Sequence, residues 1–192
     1  MGKRISIFCA SSNRIAPEYV EAAALFARLA VKQGHRLVCG GTHWGLMSVL
    51  VKATIEAGGE IEGIVPEFMH ALGWSDQRLS KLIVVPTMQE RKRLMIEDAD
   101  AIVAFPGAVG TLEELSEAIS LKRLGKFQNP IIIFNQNRFY DALLRFFEEM
   151  VDTQMMEQSQ LSAWRVVERV EEILPAIDAE PAWFPNTGRY HG

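Results

Sequence analysis

The sequence predicts an α/β fold: a doubly wound, mostly parallel sheet of Rossmann-like type with helices on both faces. Three observations carry that expectation. Short apolar runs rich in β-branched residues alternate with longer stretches of helical period. The runs end in turns of Ser, Asn, Gly and Pro. No internal repeat, low-complexity tract or long linker interrupts the series. Alternation this regular places the strands parallel, with crossover helices above and below. The expected organisation is one domain over residues 1–178 and an extended tail over 179–192.

The elements follow in order. Residues 4–10 (RISIFCA) form a buried strand closed by the turn Ser11-Ser12-Asn13. Pro17 suits the first turn of a helix that runs to about Gln33 and stops at Gly34. On it Glu18, Glu21, Arg28 and Lys32 share one face, leaving Ala22, Phe26, Leu29 and Ala30 for the core. Residues 35–41 (HRLVCGG) read as the second strand, and 45–59 as a helix with a glycine exit. Residues 60–67 (EIEGIVPE) alternate polar and apolar positions, which puts this third strand near an edge. Residues 68–81 carry no period and form an irregular, partly helical connection. A fourth strand (81–86), a helix (88–99) and a fifth strand (100–107) lead through a glycine turn into a helix ending near Leu124. The sixth strand covers 129–135 and a further helix 138–151. Residues 152–177 read as helical with an interruption, and the tail as extended and loosely held.

Bulk properties exclude several classes. The 192 residues allow a sizeable core, and 48% hydrophobic with 23% charged residues is ordinary globular composition. A net charge of −4 offers no general attraction for nucleic acid or an anionic membrane, so neither is expected as a partner. The first residues lack the apolar core of a signal peptide, and no run approaches the ~18 apolar residues of a membrane span. Cys9 and Cys39 sit in strand-like runs and read as buried reduced thiols. The expected location is the cytoplasm.

In a doubly wound sheet, ligands bind outside the carboxyl ends of the strands, so the strand-to-helix turns are where chemistry is sought. The first, CASSNR, has no glycine, which argues against a dinucleotide fingerprint. Ser11, Ser12 and Asn13 are candidates to hydrogen-bond a phosphate or sugar, or else to cap the next helix and fill the turn. The second, CGGTHWGLM, pairs Gly40 with Gly41 ahead of a helix N-terminus, either a close approach for a ligand or only a tight corner. His43 and Trp44 either touch a base or rim the cleft. The third, PGAVGTLEE, offers Gly107, Gly110, the Thr111 hydroxyl and the amides of 107–111 as an anion nest. Glu113 and Glu114 follow in the first helical turn, where a carboxylate stabilises the dipole by ~0.3–1 kcal/mol. Adjacent helical side chains diverge by about 100°, so only one of the two faces a cleft. Glu114 shares a face with Glu117 and Leu121, while Glu113 points to solvent. Upstream, MQERKRLM places Arg91, Leu94 and Met95 on one stripe, and a guanidinium near the same sheet edge can hold a phosphate or base edge. Met88 and Met95 read as core packing.

With these residues in hand, the chain resembles the LOG family, the cytokinin riboside 5′-monophosphate phosphoribohydrolases, also labelled lysine decarboxylase-like. Its hallmark P-G-G-x-G-T-x-x-E stands here as residues 106–114, its upstream R-K pair as Arg91-Lys92, and its G-G-G-x-x-G-L-M segment as residues 40–47. The likeness runs from residue 4 to about 150. It implies Arg91 and Glu114 as the catalytic pair; the turns themselves supply Ser11, Gly40, Gly41, Gly107, Gly110 and Thr111, with Lys92, as the candidates for binding the substrate and its phosphate. It implies a hydrolase that cuts the N-glycosidic bond of a nucleoside 5′-monophosphate, giving free base and ribose 5-phosphate. It also implies a homodimer whose sites borrow from both subunits, and no metal or organic cofactor. Two positions depart from the pattern: Thr42 and Ala108 replace glycines. If residue 108 needs a positive φ, alanine costs about 1 kcal/mol there. Two other readings compete. One is a nucleotide-binding carrier or sensor without catalysis; the other is a pyridoxal-phosphate decarboxylase, for which Lys92 is the nearest Schiff-base candidate. Trp74, in the irregular connection, either stacks on a base or packs.

Overall fold

The computed structural model describes residues 2–184. Seven parallel strands form one sheet in the order β4-β3-β2-β1-β5-β6-β7. In chain order they are β1 (Arg4–Phe8), β2 (Arg36–Cys39), β3 (Ile61–Pro66), β4 (Lys81–Val85), β5 (Ala101–Ala104), β6 (Ile131–Phe134) and β7 (Arg165–Val167). The helices are α1 (Pro17–Lys32), α2 (Gly45–Glu56), α3 (Glu67–Ala71), α4 (Met88–Glu97), α5 (Val109–Arg123), α6 (Asp141–Asp152) and α7 (Ile173–Ala179). This is the doubly wound α/β architecture expected.

Strand residues alternate between two cores, as the period of two demands. Ile5, Ile7, Leu37, Cys39, Val103 and Phe134 pack on one face against α1, α2 and α7. Phe8, Val38, Ile64, Ile102, Ile131 and Ile133 pack on the other, under α4, α5 and α6. Helix α1 begins at Pro17 and buries Ala22, Phe26 and Ala30, while Leu29 is only half-buried; Gly34 follows at φ +77°. Because both faces are covered, the central strands read as nearly continuous apolar runs.

The sequence expectation needs correcting in four places. Residues 152–177 are not an interrupted helix: a 3-10 turn (Gln158–Ala163), strand β7 and a second 3-10 turn (Val170–Glu172) precede α7. Three residues are too few to carry a period, and β7 is identified by its register on β6, Ile132 opposite Arg165 and Phe134 opposite Val167. Second, β3 lies near an edge as expected, but one strand in and paired on both sides; β4 is the edge strand on that side. Third, α5 starts at Val109, inside the glycine turn, so Glu113 and Glu114 lie in its second turn. Fourth, the start of the tail is held: Trp183 donates from its backbone N–H to the Gln128 carbonyl at 3.2 Å and from Nε1 to Ser162 Oγ at 3.0 Å. Residues 185–192 of that tail lie outside the described residues.

The strand order reverses between β1 and β5. Their carboxyl ends therefore define the crevice where a doubly wound sheet places its ligand. Strand β4 is far from that point, and α4 returns from the sheet edge across β3 to reach β5. That crossover brings residues of α4 to the crevice.

Candidate functional site

A cavity of about 250 Å³ opens at this crevice, and its lining draws on Cys9 and Ser11 after β1, Gly40, Thr42 and Trp44 after β2, and Arg91 of α4. The start of α5 adds Ala108, Gly110, Thr111, Glu113 and Glu114. The volume sits just below the ~300–1,000 Å³ usual for small-molecule sites.

Arg91 and Glu114 meet on its wall. Arg91 Nη1 donates to Glu114 Oε1 at 2.7 Å, and Arg91 Nε donates to the Ile64 carbonyl of β3 at 3.1 Å. Both residues are 7% exposed. A fork anchored on one side by a backbone carbonyl holds its position and presents the remaining nitrogens in a fixed plane. Gly40 makes room for it, because a Cβ at that position would overlap the Arg91 guanidinium. Burial pushes the Glu114 carboxyl above its ordinary pKa, against the lowering pull of Arg91. Burial likewise raises the thiol of Cys9 well up and that of Cys39 to about 11. Both cysteines are buried and unpaired.

The two glycine turns differ in what their helix N-termini do. At α2 two of the donors are already taken: Gly45 N–H bonds Asn13 Oδ1 at 2.8 Å and Leu46 N–H bonds the Ala10 carbonyl at 2.9 Å. Asn13 therefore caps α2, and Ser12 accepts from Arg14 N–H within its own turn. At α5 the cap residue is Ala108, which has no side-chain acceptor. The first-turn N–H groups of a helix lack an intrahelical partner. Here they lie beside Gly110 and Thr111 on the cavity wall, with the positive end of the helix dipole. Gly110 faces open space, and a Cβ at Gly107 would overlap the Thr111 hydroxyl. Ala108 has φ −89° and ψ −160°, a conformation open to any L-residue, so alanine in place of glycine stores no strain.

The structure thus brings Ser11, Gly40, Arg91, Gly110, Thr111 and Glu114 to one cavity. Gly41 and Gly107 stand behind it. Gly41, at φ +72°, packs against Val65 and Gly63, and Gly107 backs Thr111. Lys92 is turned away from the lining: its ammonium bonds Glu113 and, at 2.7 Å, Glu117, and these carboxylates raise its pKa. Glu113 is half-exposed and reaches both that lysine and the cavity rim. Met95 is core, whereas Met88 joins Met47, Met69 and Trp74 in the lining. The sequence does not mark Met47, Met69 or Cys9 as cavity lining, because apolar residues in strands, helices and short loops carry no sign that separates a cavity wall from a core. Among the described residues no three His, Cys, Asp or Glu side chains converge as metal ligands, and no helix is long and apolar enough to cross a membrane.

Comparison with known proteins identifies the family and the fold. The family model described as "Possible lysine decarboxylase" matches residues 47–177, a span that includes Arg91 and Glu114. The cytokinin riboside 5′-monophosphate phosphoribohydrolase LOG2 of Arabidopsis thaliana is 33% identical over 183 residues, covering 92% of this chain and 86% of that protein. The enzyme of the same name from Rhodococcoides fascians is 32% identical over 176 residues, covering 91% and 89%. Among solved structures, the molybdenum cofactor carrier protein of Chlamydomonas reinhardtii superposes with a TM-score of 0.71 at 18% identity, over 93% of this chain and 97% of that one. The molybdenum cofactor binding protein of Rippkaea orientalis gives 0.70 at 19%, with the same coverage. At these identities the two structures share the fold.

Proposed function

The chain belongs to the LOG family, and from that membership we propose that it hydrolyses the N-glycosidic bond of a nucleoside 5′-monophosphate, AMP or an N6-modified AMP, to free base and ribose 5-phosphate. The observation that carries this reading is the buried Arg91–Glu114 pair beside the uncapped start of α5. The free amides of α5, with Thr111, receive the 5′-phosphate. That remote binding energy positions C1′ against the acid–base pair. As the base departs, the ribosyl group acquires oxocarbenium character; Glu114 stabilises that charge or takes a proton from the attacking water. Arg91 keeps Glu114 oriented and acts electrostatically on the nucleotide. Lys92 contributes by clamping α4 to α5 through Glu113 and Glu117. The working form in this reading is a cytoplasmic homodimer, and the exposed apolar side chains Val109, Leu112 and Phe146 on α5 and α6 support the dimer.

A second reading, a nucleotide-binding carrier without catalysis, is favoured by the molybdenum cofactor carrier and binding proteins that share this fold. The decarboxylase reading finds no support at Lys92: two carboxylates hold its ammonium protonated, the opposite of what Schiff-base formation requires. The test is to incubate the protein with AMP and follow both thermal protection and adenine release. A hydrolase releases adenine and ribose 5-phosphate; a carrier is protected by AMP and releases nothing.

A further inference from the structure

The cavity lining has two chemistries. Arg91, Glu114, Thr111 and Ser11 supply charge and hydrogen bonds, whereas Trp44, Trp74, Met47, Met69 and Met88 supply aromatic and thioether surface. The two tryptophans come from different loops, and backbone pairing fixes them together. Thr42 and Ser75 form an antiparallel bridge, His43 N–H donates to the Trp74 carbonyl at 3.0 Å, and Asp76 N–H donates to the Gly41 carbonyl at 2.9 Å. The indole centroids are 5.0 Å apart, and His43 packs edge-on against Trp44 at 4.6 Å. Behind this miniature ladder, Asp76 grips Arg78 with both carboxylate oxygens, and Arg78 reaches Ser48 Oγ of α2 at 2.8 Å. The wall is thus ordered before any ligand arrives, which lowers the entropy lost on binding.

The same pairing removes hydrogen-bonding groups from the wall. The 41–43 and 74–76 backbone groups just named are engaged in the ladder, and the Thr42 hydroxyl donates to Met47 Sδ at 3.5 Å. What the wall offers a flat ring is the indole surface that the Trp44–Trp74 and His43–Trp44 contacts leave open, with adaptable thioethers beside it. Stacking on an aromatic face tolerates any base, because every base has a π-face, and it strengthens with ring area.

We propose that Trp44 and Trp74 are the base-recognition wall of this site and that they select by ring face rather than ring edge, so that the substrate class is purine 5′-monophosphates with little discrimination between amino- and oxo-purines. This deepens the nucleoside-monophosphate reading and rests on it. The indoles provide the stacking surface, the methionines close around the ring, and the polar half of the cavity holds ribose and phosphate.

The test is calorimetric binding of AMP, GMP, CMP and ribose 5-phosphate to the full chain carrying Glu114→Gln, which keeps nucleotides intact, with and without Trp74→Leu. AMP and GMP are expected within about 5-fold of each other and CMP at least about 10-fold weaker. Trp74→Leu is expected to weaken AMP by about 10- to 100-fold and ribose 5-phosphate by less than about 2-fold. Unchanged ribose 5-phosphate binding also reports that the variant is folded, and Trp74→Phe is expected to restore most of the AMP affinity. CMP binding as tightly as AMP, or AMP binding indifferent to Trp74→Leu, overturns the proposal. Base release by the wild-type protein is read separately. Tryptophan-dependent AMP binding without release sinks the hydrolase reading and leaves the wall standing; release with no tryptophan dependence does the reverse. Absence of all binding overturns both.

Discussion

Arg91 and Glu114 stand 2.7 Å apart although three strands separate β4 from β5, the strands that precede their helices. The long return of α4 across the sheet closes that gap, and the carbonyl of Ile64 pins the guanidinium on the way. Removing one partner of a buried pair leaves the other charge without compensation, at a cost of about 3–5 kcal/mol. Arg91→Met is therefore expected to lose roughly that much stability at pH 7. Without Arg91, burial lifts the Glu114 pKa further above its unfolded value. The carboxyl's stability contribution is then fully present below the unfolded pKa and is lost as pH rises through the folded one. The loss in Arg91→Met should accordingly be smaller at pH 5 than at pH 7 in urea unfolding. An equal loss at both values would show that Glu114 is not the group left exposed to the change.

Gly40 should matter to activity more than to stability. A methyl group at this position displaces the Arg91 guanidinium, the end of a long side chain, rather than backbone. Misplacement on the order of 1 Å at a reacting centre costs about 100-fold in rate. Gly40→Ala is expected to lower kcat/KM by about 10- to 100-fold while costing less stability than Arg91→Met, because the guanidinium is shifted rather than removed. Full activity in the folded variant would contradict the role assigned to the clearance around Arg91.

Lys122 is fully buried, its Nζ donates to the Asn129 carbonyl at 2.8 Å, and burial pulls its pKa down from 10.5 to about 8. With the folded value below the unfolded one, the lysine favours the folded state above pH 10.5, and that contribution is lost as pH falls towards 8. At pH 7 the ammonium is buried at full cost. Lys122→Met should therefore stabilise the protein by about 1–3 kcal/mol at pH 7. The gain should shrink as pH is raised from about 8 to 10.5 in denaturant titrations. A variant destabilised at pH 7 would mean that the bond to Asn129 outweighs the burial of charge.

Ala108 tests the glycine that this chain lacks. Its φ of −89° needs no glycine. Ala108→Gly should then only add freedom to the unfolded chain and lower stability by about 0.4–1 kcal/mol. A rise in melting temperature would reveal strain at the alanine.

Most of the fold was legible because its central strands are buried on both faces and its helices carry a clear apolar stripe; Phe26 and Gly34 are good examples. Strand β7 was not, since three residues between 3-10 turns have no period and gain their identity only by pairing with β6. Arg91 and Glu114 were singled out by their helical faces and by the motif that carries the family resemblance, but the distance between them depends on the α4 crossover. Lys92 shows the limit of adjacency: one residue along a helix turns a side chain by about 100°, which aims it at Glu113 and Glu117 instead of the cavity. The meeting of Trp44 with Trp74 depends on the Thr42–Ser75 bridge, a non-local pairing with no local signature.

The most direct measurement is adenine release from AMP by the wild-type protein and by Glu114→Gln across pH 5 to 8. The expected result is release of adenine and ribose 5-phosphate by the wild type. Its acid limb should have a midpoint above the 4.5 of an ordinary glutamate, because burial raises Glu114 and the carboxylate is the working form. Glu114→Gln should lose about 10²- to 10⁴-fold in kcat while remaining folded. A folded wild-type protein that binds AMP and releases no adenine, or a glutamine variant that turns over within a few-fold of wild type, would contradict the proposed hydrolysis through Arg91 and Glu114.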